Sequence, residues 1–473
     1  MAVLDRLYAR LPVIAQHAAV SAYGVYWHRL RFGPGYQRAL AGFRQRERLS
    51  ADGWQSWQAR RLRTYLTLAA DHVPYYRDTW DAATRAAARA GQLDALPRLG
   101  KEPLRRDARA FVRDDLRARE WVFATSGSTG TPIDSIWTVA ELRASLALRE
   151  ARSAAWAGTS FRHPRATFSG RMVEPDPASR GPYYRFNRAE RQVYFSAFHL
   201  APATAGQYVR ALHKHRIQWL TGYAVSLYLL AVAMREQGLE PPPLEAVVTT
   251  SEKLTSSMRA LMREVYRCGI FEEYSTVENA VFASECAHGS LHVSPDAGVV
   301  EILRPDATPC QPGEPGEVVA TGILRAHQPL VRFRLGDVAT WAEAPCACGR
   351  ALPVLAEVVG RIEDVLVAPD GRQMVRFHGV FVDLPEVREG QVIQETLRRI
   401  RVRVVPAEGF GPQTQTSIAT RVHQRLGHEV EVEVETVERI ARTAAGKFQA
   451  VVSRLPPAVR AAAAPTTIHQ QKP

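Results

Sequence analysis

Cysteine is scarce in this sequence, and the few cysteines are not arranged as a disulfide framework. Only five occur among the 473 residues, at positions 268, 286, 310, 346 and 348. An odd number of cysteines, with no secretory signal before them, argues against an extracellular scaffold held together by disulfide bonds. The expected compartment is therefore the cytoplasm.

Long apolar runs are also missing. The apolar stretch over residues 13–27 is interrupted by Gln16 and His17. No segment supplies the roughly 20 uninterrupted apolar residues that a transmembrane helix requires. The sequence therefore predicts no membrane insertion.

Carboxylates are outnumbered by basic side chains. Asp and Glu total 48 against 61 Lys and Arg, which gives a formal net charge of +13. Such a balance fits a nucleic acid, a membrane surface or a phosphorylated substrate. The arginines occur as scattered pairs, such as Arg60-Arg61 and Arg398-Arg399, which is typical of a solvated surface. A nucleic-acid binder remains an alternative, and a steep salt dependence of DNA or RNA binding would support it.

The chain is too long for a single ordinary core and predicts more than one domain. Residues 1–120 have helical periodicity, with a helix over 57–73 that Pro74 ends. Helical and strand-like segments then alternate, and a second α/β unit covers 365–455. We expect an α/β fold with a large domain over 1–363, a small one over 364–456 and a disordered tail over 457–473.

A Gly-rich loop follows a short apolar strand. It consists of Thr125, Ser126, Gly127, Ser128, Thr129, Gly130, Thr131 and Pro132. Glycines allow the backbone to approach an anion, and successive N–H groups form a cradle for phosphate oxygens. No Gly-Lys-Ser/Thr follows, so the loop is not a Walker motif. A Ser/Gly-rich surface turn is the plain alternative.

This loop resembles the phosphate-binding loop of the adenylate-forming superfamily, which includes acyl-CoA synthetases and luciferase. Further blocks follow in the order of that family. They are Tyr274-Ser275-Thr276-Val277-Glu278, Arg332-Phe333-Arg334-Leu335-Gly336-Asp337, Gly360-Arg361 and Arg442-Thr443-Ala444-Ala445-Gly446-Lys447. Two positions depart from the pattern: Ser275 replaces a glycine, and Val277 replaces a hydroxyl residue.

The resemblance implies a role for each block. Tyr274 would pack on adenine, Asp337 would bind the ribose hydroxyls and Arg361 would contact the nucleotide. Thr276 would supply the hydroxyl that Val277 lacks, and Glu278 would hold Mg²⁺. Residues 125–130 would hold the leaving phosphates, with Thr129 as a catalytic hydroxyl. Lys447 would reach the carboxylate and the α-phosphate.

Other segments are similar to the phenylacetate-CoA ligase and CapK-like branch of that family. Val73-Pro74-Tyr75-Tyr76-Arg77 matches its V-P-Y-Y-R, and Thr250-Ser251-Glu252 its T-G-E with Ser for Gly. Asp364 would lie at the hinge between the domains. We assign an acid pocket to residues 190–225, with Phe195, Phe198, His199 and Tyr223 as candidate walls. Aromatic residues of this kind are also common in a plain core.

A group of cysteine and histidine residues has the spacing of a metal site. Its candidate ligands are Cys286, His292, Cys346 and Cys348, with His288 as a spare. Small buried thiols and a satisfied histidine are the alternative. Some members of the branch carry a similar pattern with a structural zinc, which favours a closed Zn²⁺ site here.

Together the resemblance implies an AMP-forming acid–thiol ligase with ATP, Mg²⁺ and CoA as co-substrates or cofactors. A small-molecule carboxylic acid would be activated as an acyl-adenylate, and its acyl group passed to CoA. Two alternatives stay open: transfer to an amine or a carrier-protein thiol, and a degenerate protein that only binds nucleotide. The acid and the oligomeric state do not follow from the sequence.

Overall fold

A computed structural model of the chain describes residues 8, 11–124, 133–169, 171, 173–174, 179–197, 199–361, 366–370, 372–374, 380–381, 384–442, 448–456, 459 and 464–465. Within these ranges it is a mixed α/β protein, as the sequence predicts.

The chain opens with helices, which confirms the helical periodicity of this region. They are α1 (Val13–Arg31), α2 (Tyr36–Arg46), α3 (Ala51–His72), α4 (Pro74–Thr79), α5 (Ala82–Ala90) and α6 (Lys101–Arg106). The Ser50 side chain caps α3 by accepting a hydrogen bond from the Gly53 amide. Helix α3 ends at His72, and Pro74 begins α4 because its fixed φ suits the first turn of a helix.

Two short strands flank the Gly-rich loop, as predicted. Strands β1 (Glu120–Ala124) and β2 (Asp134–Thr138) pair antiparallel, from Glu120 opposite Thr138 to Ala124 opposite Asp134. The loop itself lies outside the described residues. Thr138 then starts α7 (Val139–Arg149) with a capping box, in which it exchanges hydrogen bonds with Glu141.

Twelve strands form the main sheet. They are β3 (Arg165–Ser169), β4 (Tyr184–Asn187), β5 (Gln192–Ser196), β6 (Trp219–Tyr223), β7 (Ala246–Thr250), β8 (Gly269–Ser275), β9 (Phe282–Glu285), β10 (Leu291–Val293), β11 (Val299–Leu303), β12 (Pro315–Thr321), β13 (Phe333–Trp341) and β14 (Val354–Arg361). Their order is β11-β12-β13-β14-β10-β9-β8-β7-β6-β3-β5-β4. Strands β5, β3, β6, β7 and β8 are parallel to one another, whereas β4 at one edge and strands β9 to β14 pair antiparallel.

Helices connect the parallel strands, as in other α/β proteins. The helices predicted near 203–216 and 226–237 are α8 (Pro202–Lys214) and α9 (Ala224–Gln237), and α10 (Ser256–Tyr266) follows β7. One apolar cluster lies between these helices and the parallel strands, and a second lies between α3, α4 and strands β9 to β13. Tyr274 of β8 packs against this second cluster, to which β13 contributes Phe333, Leu335 and Ala339.

The C-terminal part forms a separate, smaller core. Its strands are β15 (Leu366–Val367), β16 (Arg372–Met374), β17 (Val387–Thr396), β18 (Arg399–Pro406), β19 (Glu431–Thr436), β20 (Val451–Ser453) and β21 (Ala464–Pro465), with helix α11 (Pro412–Leu426). The four-stranded sheet β19-β18-β17-β20 packs against α11 through apolar side chains that include Ile400, Val402 and Ile418. None of the described helices is long and apolar enough to cross a membrane.

Candidate active site and metal centre

Two of the sequence blocks meet although their strands, β8 and β13, are not neighbours in the large sheet. The Tyr274 hydroxyl, near the end of β8, donates a hydrogen bond of 2.7 Å to the Asp337 carboxylate in β13. The two residues are 63 positions apart in the chain. Asp337 is buried, so its carboxylate is held in place rather than freely rotating. The structure thus joins the predicted adenine and ribose residues in one polar pair.

A tight turn follows β8 and carries the next block. The Asn279 amide donates a hydrogen bond of 3.0 Å to the Thr276 carbonyl, and Asn279 adopts a φ of +51°. The Thr276 hydroxyl oxygen is buried and has no hydrogen-bond partner among the residues described. The Val277 side chain is 42% exposed and offers no polar group. The buried hydroxyl of Thr276 therefore lies one position before Val277, where the superfamily has its hydroxyl residue.

Glu278 is buried beside a cation that sequence reasoning missed. Its backbone carbonyl accepts a hydrogen bond of 2.6 Å from Arg325, whose guanidinium also donates to the Ser135 hydroxyl at 2.9 Å and to the Ile136 carbonyl. The Arg325 guanidinium stacks 4.0 Å from the Trp137 ring. It thereby ties strand β2, which follows the Gly-rich loop, to the turn that holds Glu278.

Within the described residues, neither charge of this pair has a direct ionic partner. Burial lowers the pKa of Arg325, which forms no ion pair among the described residues. The Glu278 carboxylate likewise forms neither a hydrogen bond nor an ion pair within the described part of the chain. A buried carboxylate of this kind is a suitable Mg²⁺ ligand.

Several predicted site residues lie where the structure gives no side-chain description. These are Thr125, Ser126, Gly127, Ser128, Thr129 and Gly130 of the loop, together with Phe198, Arg361, Asp364 and Lys447. For Arg361 only the backbone is described, and it pairs with Asp337 across β13 and β14. The roles of these residues remain predictions.

Glu252, in the block that resembles T-G-E, links the two parts of the chain. Its carboxylate accepts a hydrogen bond of 2.9 Å from the Val225 amide at the start of α9. The other oxygen accepts one of 2.6 Å from the Phe448 amide. Phe448 follows Lys447 directly in the chain. The guanidinium of Arg442 lies over the Phe448 ring, 4.8 Å from the ring centre. The carboxylate therefore joins the large sheet to the segment that carries the predicted catalytic lysine.

The candidate walls of the acid pocket differ in their surroundings. Phe195 is fully buried and stacks on Phe168 and Tyr208, so it belongs to the core. His199 is half-buried. Its Nδ1 atom shares a hydrogen bond of 2.8 Å with the Ser196 hydroxyl, and its ring stacks on Tyr183. Tyr223 ends β6 and is buried. No described contact assigns an acid to this region.

The four predicted metal ligands lie together. The ligand atoms of Cys286, His292, Cys346 and Cys348 are all within 4.8 Å of one another. The Cys286 and Cys346 sulfurs are 3.6 Å apart, and the Cys348 sulfur is 3.3 Å from the His292 Nε2 atom. A tetrahedral Zn²⁺ with Zn–S bonds of about 2.3 Å needs ligand atoms about 3.6–3.8 Å apart. Three soft thiols and one imidazole at these distances fit a closed zinc site.

The pKa values of two cluster members shift in the direction that metal binding requires, whereas burial raises the pKa of the Cys286 thiol. Burial raises the pKa of the Cys346 thiol, but hydrogen bonds from Ser290 and Cys348 outweigh it and lower the pKa to about 7. Burial lowers the pKa of His292, which favours the neutral imidazole that a metal requires. His288 is exposed and is not part of the group. Zinc occupancy remains a prediction.

Aromatic and charged side chains surround this cluster. Trp156 packs edge-to-face on His292 with the ring centres 5.7 Å apart. Its indole N–H donates a hydrogen bond of 2.9 Å to Glu47, which also accepts one of 2.7 Å from Arg350. The site thus joins β9, β10 and the segment before β14 to the helical opening of the chain.

Comparison with known proteins agrees with these motifs. Residues 366–454 match the CapK C-terminal domain. Protein CapK of Staphylococcus aureus is 21% identical over 465 residues, which cover 96% of this chain and 100% of CapK. The phenylacetate-coenzyme A ligase of Thermus thermophilus is 26% identical over 353 residues, which cover 68% of this chain and 73% of that enzyme.

Over most of its length the chain is similar to CapK and to phenylacetate-CoA ligases, and its C-terminal part matches the CapK C-terminal domain. A solved structure of 2-hydroxyisobutyryl-CoA ligase, in complex with an acyl-adenylate, has the same fold. It superposes with a TM-score of 0.67 at 20% identity and covers 88% of this chain and 92% of that chain.

The departures from the superfamily pattern have different structural consequences. Ser251 replaces the glycine of T-G-E and adopts a φ of +69°, a left-handed conformation that costs a non-glycine residue about 1–2 kcal/mol. Ser275 also replaces a glycine, but it ends strand β8 and has no positive φ. The backbone therefore tolerates Ser275 and is strained at Ser251, the neighbour of Glu252.

Proposed function

We propose that this protein activates a carboxylic acid with ATP and then transfers the acyl group to CoA. The hydrogen bond between Tyr274 and Asp337 carries this proposal. It brings two distant motifs of the superfamily into one polar pair, in which the Asp337 carboxylate is buried and Tyr274 is half-buried. Similarity to phenylacetate-coenzyme A ligases supports an acid–thiol ligase activity.

In the proposed first step, a carboxylate oxygen of the acid attacks the α-phosphorus of ATP. The bond from that phosphorus to the bridging oxygen breaks, and pyrophosphate leaves with the electron pair. Tyr274 and Asp337 would hold adenosine by stacking and by hydrogen bonds to the ribose. Their role is to orient the α-phosphate, so that positioning supplies much of the rate.

Charge stabilisation would come from three groups. Mg²⁺ held by Glu278 would offset the charge on the phosphates, and the Thr276 hydroxyl would donate to a phosphate oxygen. The Lys447 ammonium, on a flexible stem, would approach the reacting carboxylate and α-phosphate. In the second step the thiolate of CoA attacks the acyl carbon, and AMP leaves as the carbon–oxygen bond of the mixed anhydride breaks.

The test is pyrophosphate release with ATP, Mg²⁺ and a panel of aryl, fatty and amino acids, with and without CoA. We expect release with at least one class of acid and a thioester only when CoA is present. An acyl-adenylate that accumulates with CoA but reacts with an amine or a carrier-protein thiol would instead favour those acceptors. ATP binding without release for any acid would contradict carboxylate activation.

Lys447→Ala and Lys214→Ala form a matched pair for the same assay. Lys214 is an exposed residue at the end of α8, far from the motif residues in the chain. We expect the first variant to lose pyrophosphate release while its circular dichroism stays unchanged, and the second to retain full activity. Near-normal release by Lys447→Ala would remove this lysine from the mechanism.

A further inference from the structure

Helix α1 presents an apolar face to solvent, and this face is not used by the proposed reaction. Its members are Ile14, Ala18, Ala22, Val25 and Tyr26, with Tyr23 at the edge. At about 100° per residue the first five fall within an arc of roughly 120°. We refer to these six residues as the α1 face.

The exposure of the α1 face is unusual for this molecule. Ile14 is 84% exposed, Tyr23 58%, Val25 42% and Tyr26 37%. In the described part of the chain only Leu116, Val122 and Val277 are comparable exposed large apolar residues. Scattered apolar residues on a surface need no explanation, but a continuous stripe along one helix marks an interaction site.

The sides of α1 outside this face are firmly attached to the large domain. Ser21 donates a hydrogen bond of 3.2 Å to the Phe186 carbonyl, and His17 accepts one of 2.9 Å from the Phe186 amide. Gly24 is buried against Asn187, where an added Cβ would clash with the side-chain amide. The orientation of α1 is therefore fixed, and the α1 face cannot turn inward without breaking these contacts.

The charge around the α1 face is positive. Helix α1 contains no Asp or Glu, and exposed Arg29 lies at the end of the apolar stripe. Exposed Arg119 donates a hydrogen bond of 3.0 Å to the Tyr26 hydroxyl, and exposed Arg188 is held next to Ser21 by its backbone amide. Glu190, which pairs with Arg31 at the inner side of α1, has a fully buried side chain. Among the described residues, none of the cations Arg29, Arg119 and Arg188 forms an ion pair with a carboxylate, so their charges remain available to a ligand.

From the stripe, its tyrosines and its arginines, we propose that the α1 face binds the surface of an anionic lipid bilayer. Apolar residues of the face would enter the boundary between headgroups and acyl chains, and Tyr and Arg are suited to the headgroup region. The positive surroundings would attract anionic lipid. The helix lies in the plane of the membrane surface and does not span it.

Docking of this kind would bring the candidate active site close to the bilayer. Trp27 of α1 packs 6.4 Å from the rings of both Trp121 and Phe123 in strand β1, which leads into the Gly-rich loop. The Arg119 guanidinium lies 5.0 Å from the Trp121 ring. The aromatic contacts therefore connect the α1 face to the strand pair that carries the loop.

Flotation of the full-length protein with vesicles tests the proposal. We expect binding to vesicles of phosphatidylcholine with phosphatidylglycerol, and much weaker binding to phosphatidylcholine alone. A variant with Ile14→Ser, Tyr23→Ser and Val25→Ser should bind the anionic vesicles about tenfold less well. It leaves Tyr26 and its hydrogen bond with Arg119 in place.

Matched controls separate the α1 face from general effects. Val122→Ser removes an equally exposed apolar side chain, on the face of β1 opposite Trp121 and Phe123, and should bind as wild type. Arg29→Glu should reduce binding to anionic vesicles, whereas the same change at exposed Arg439 in the C-terminal part should not. Melting temperatures of all variants report whether they are folded.

Two results would overturn the proposal. One is the absence of binding to either kind of vesicle, or binding that the triple serine variant retains in full. The other is a wild-type dimer that the triple variant converts to a monomer without any binding to lipid, because the occupant of the α1 face would then be a second copy of the chain. Neither result depends on the proposed ligase activity.

Discussion

At the scale of single residues, Asp337 has the most specific predicted role. Asp337→Asn keeps the size of the side chain but removes its charge. A hydrogen bond to a charged group is worth about 1.5–3 kcal/mol, so loss of the carboxylate should raise the KM for ATP about ten- to a hundredfold. Pyrophosphate release at varied ATP measures this.

Asp78→Asn is the matched control for that variant. Asp78 is an exposed residue of helix α4 and lies outside the site. Its substitution should leave the KM unchanged. If Asp337→Asn also leaves the KM unchanged while the protein still turns over, Asp337 does not bind the ribose.

Arg325 joins strand β2 to the turn that holds Glu278, and its removal should lower the free energy of unfolding. Arg325→Met would leave the Ser135 hydroxyl and the carbonyls of Ile136 and Glu278 without their buried donor. We expect a loss of about 2–4 kcal/mol in the free energy of unfolding, measured in urea. Arg334→Met removes an arginine of the same sequence region that is 48% exposed and pairs with Glu317. That control should cost less than about 1 kcal/mol, and equal losses would contradict the assigned role of Arg325.

Residues that belong to a sequence motif could be predicted. Residues that hold the motif residues in place could not. Tyr274 and Asp337 follow from the order of residues along the chain, and the structure adds the hydrogen bond between them. Arg325 occurs in a segment without any motif, and its importance depends on burial and on partners from β2 and from the turn after β8. Such a role arises only when distant segments fold together.

At the scale of elements, the zinc site makes the sharpest prediction. Cys286 follows β9, His292 lies in β10, and Cys346 and Cys348 precede β14. We expect about one zinc per chain in the purified protein, measured by elemental analysis. Cys346→Ser should lower the zinc content and the melting temperature, because metal binding stabilises only the folded state.

Cys268→Ser provides the control for this change. Cys268 is a free, half-buried thiol outside the group of four ligands. Its variant should keep both the zinc and the melting temperature near their wild-type values. A metal-free wild-type protein with an unchanged melting temperature would rule out a structural zinc.

Local sequence signals predicted the positions of helices and strands better than they predicted which strands pair. Pro74 placed the end of α3, and the apolar runs placed β1, β2 and β7. The pairing of β10 with β14, in which His292 lies opposite Val354, has no local signal because the two strands are far apart in the chain. The four metal ligands show this well, since their spacing indicates a site but their approach depends on that pairing.

At the scale of the whole molecule, two parts of the chain must cooperate, and Glu252 is where they meet. Its two carboxylate oxygens accept hydrogen bonds from the Val225 amide of the large sheet's helix α9 and from the Phe448 amide beside Lys447. The resemblance to the adenylate-forming superfamily implies that the C-terminal part rotates between the two half-reactions. The hydrogen bond between Glu252 and the Phe448 amide should therefore matter for adenylation and not for acyl transfer to CoA.

This asymmetry gives the last prediction, which rests on the proposed function. Glu252→Ala should slow pyrophosphate release about tenfold, because the segment around Lys447 loses its anchor. Transfer of the acyl group from a preformed adenylate to CoA should keep its rate. Glu236→Ala removes another described contact between the two parts, an exposed ion pair of 2.7 Å with Arg388, and should change either rate by less than about threefold, as expected for a surface pair. Equal slowing of both half-reactions by Glu252→Ala would mean that the carboxylate acts on the start of α9 and on the fold, and not on the position of the lysine.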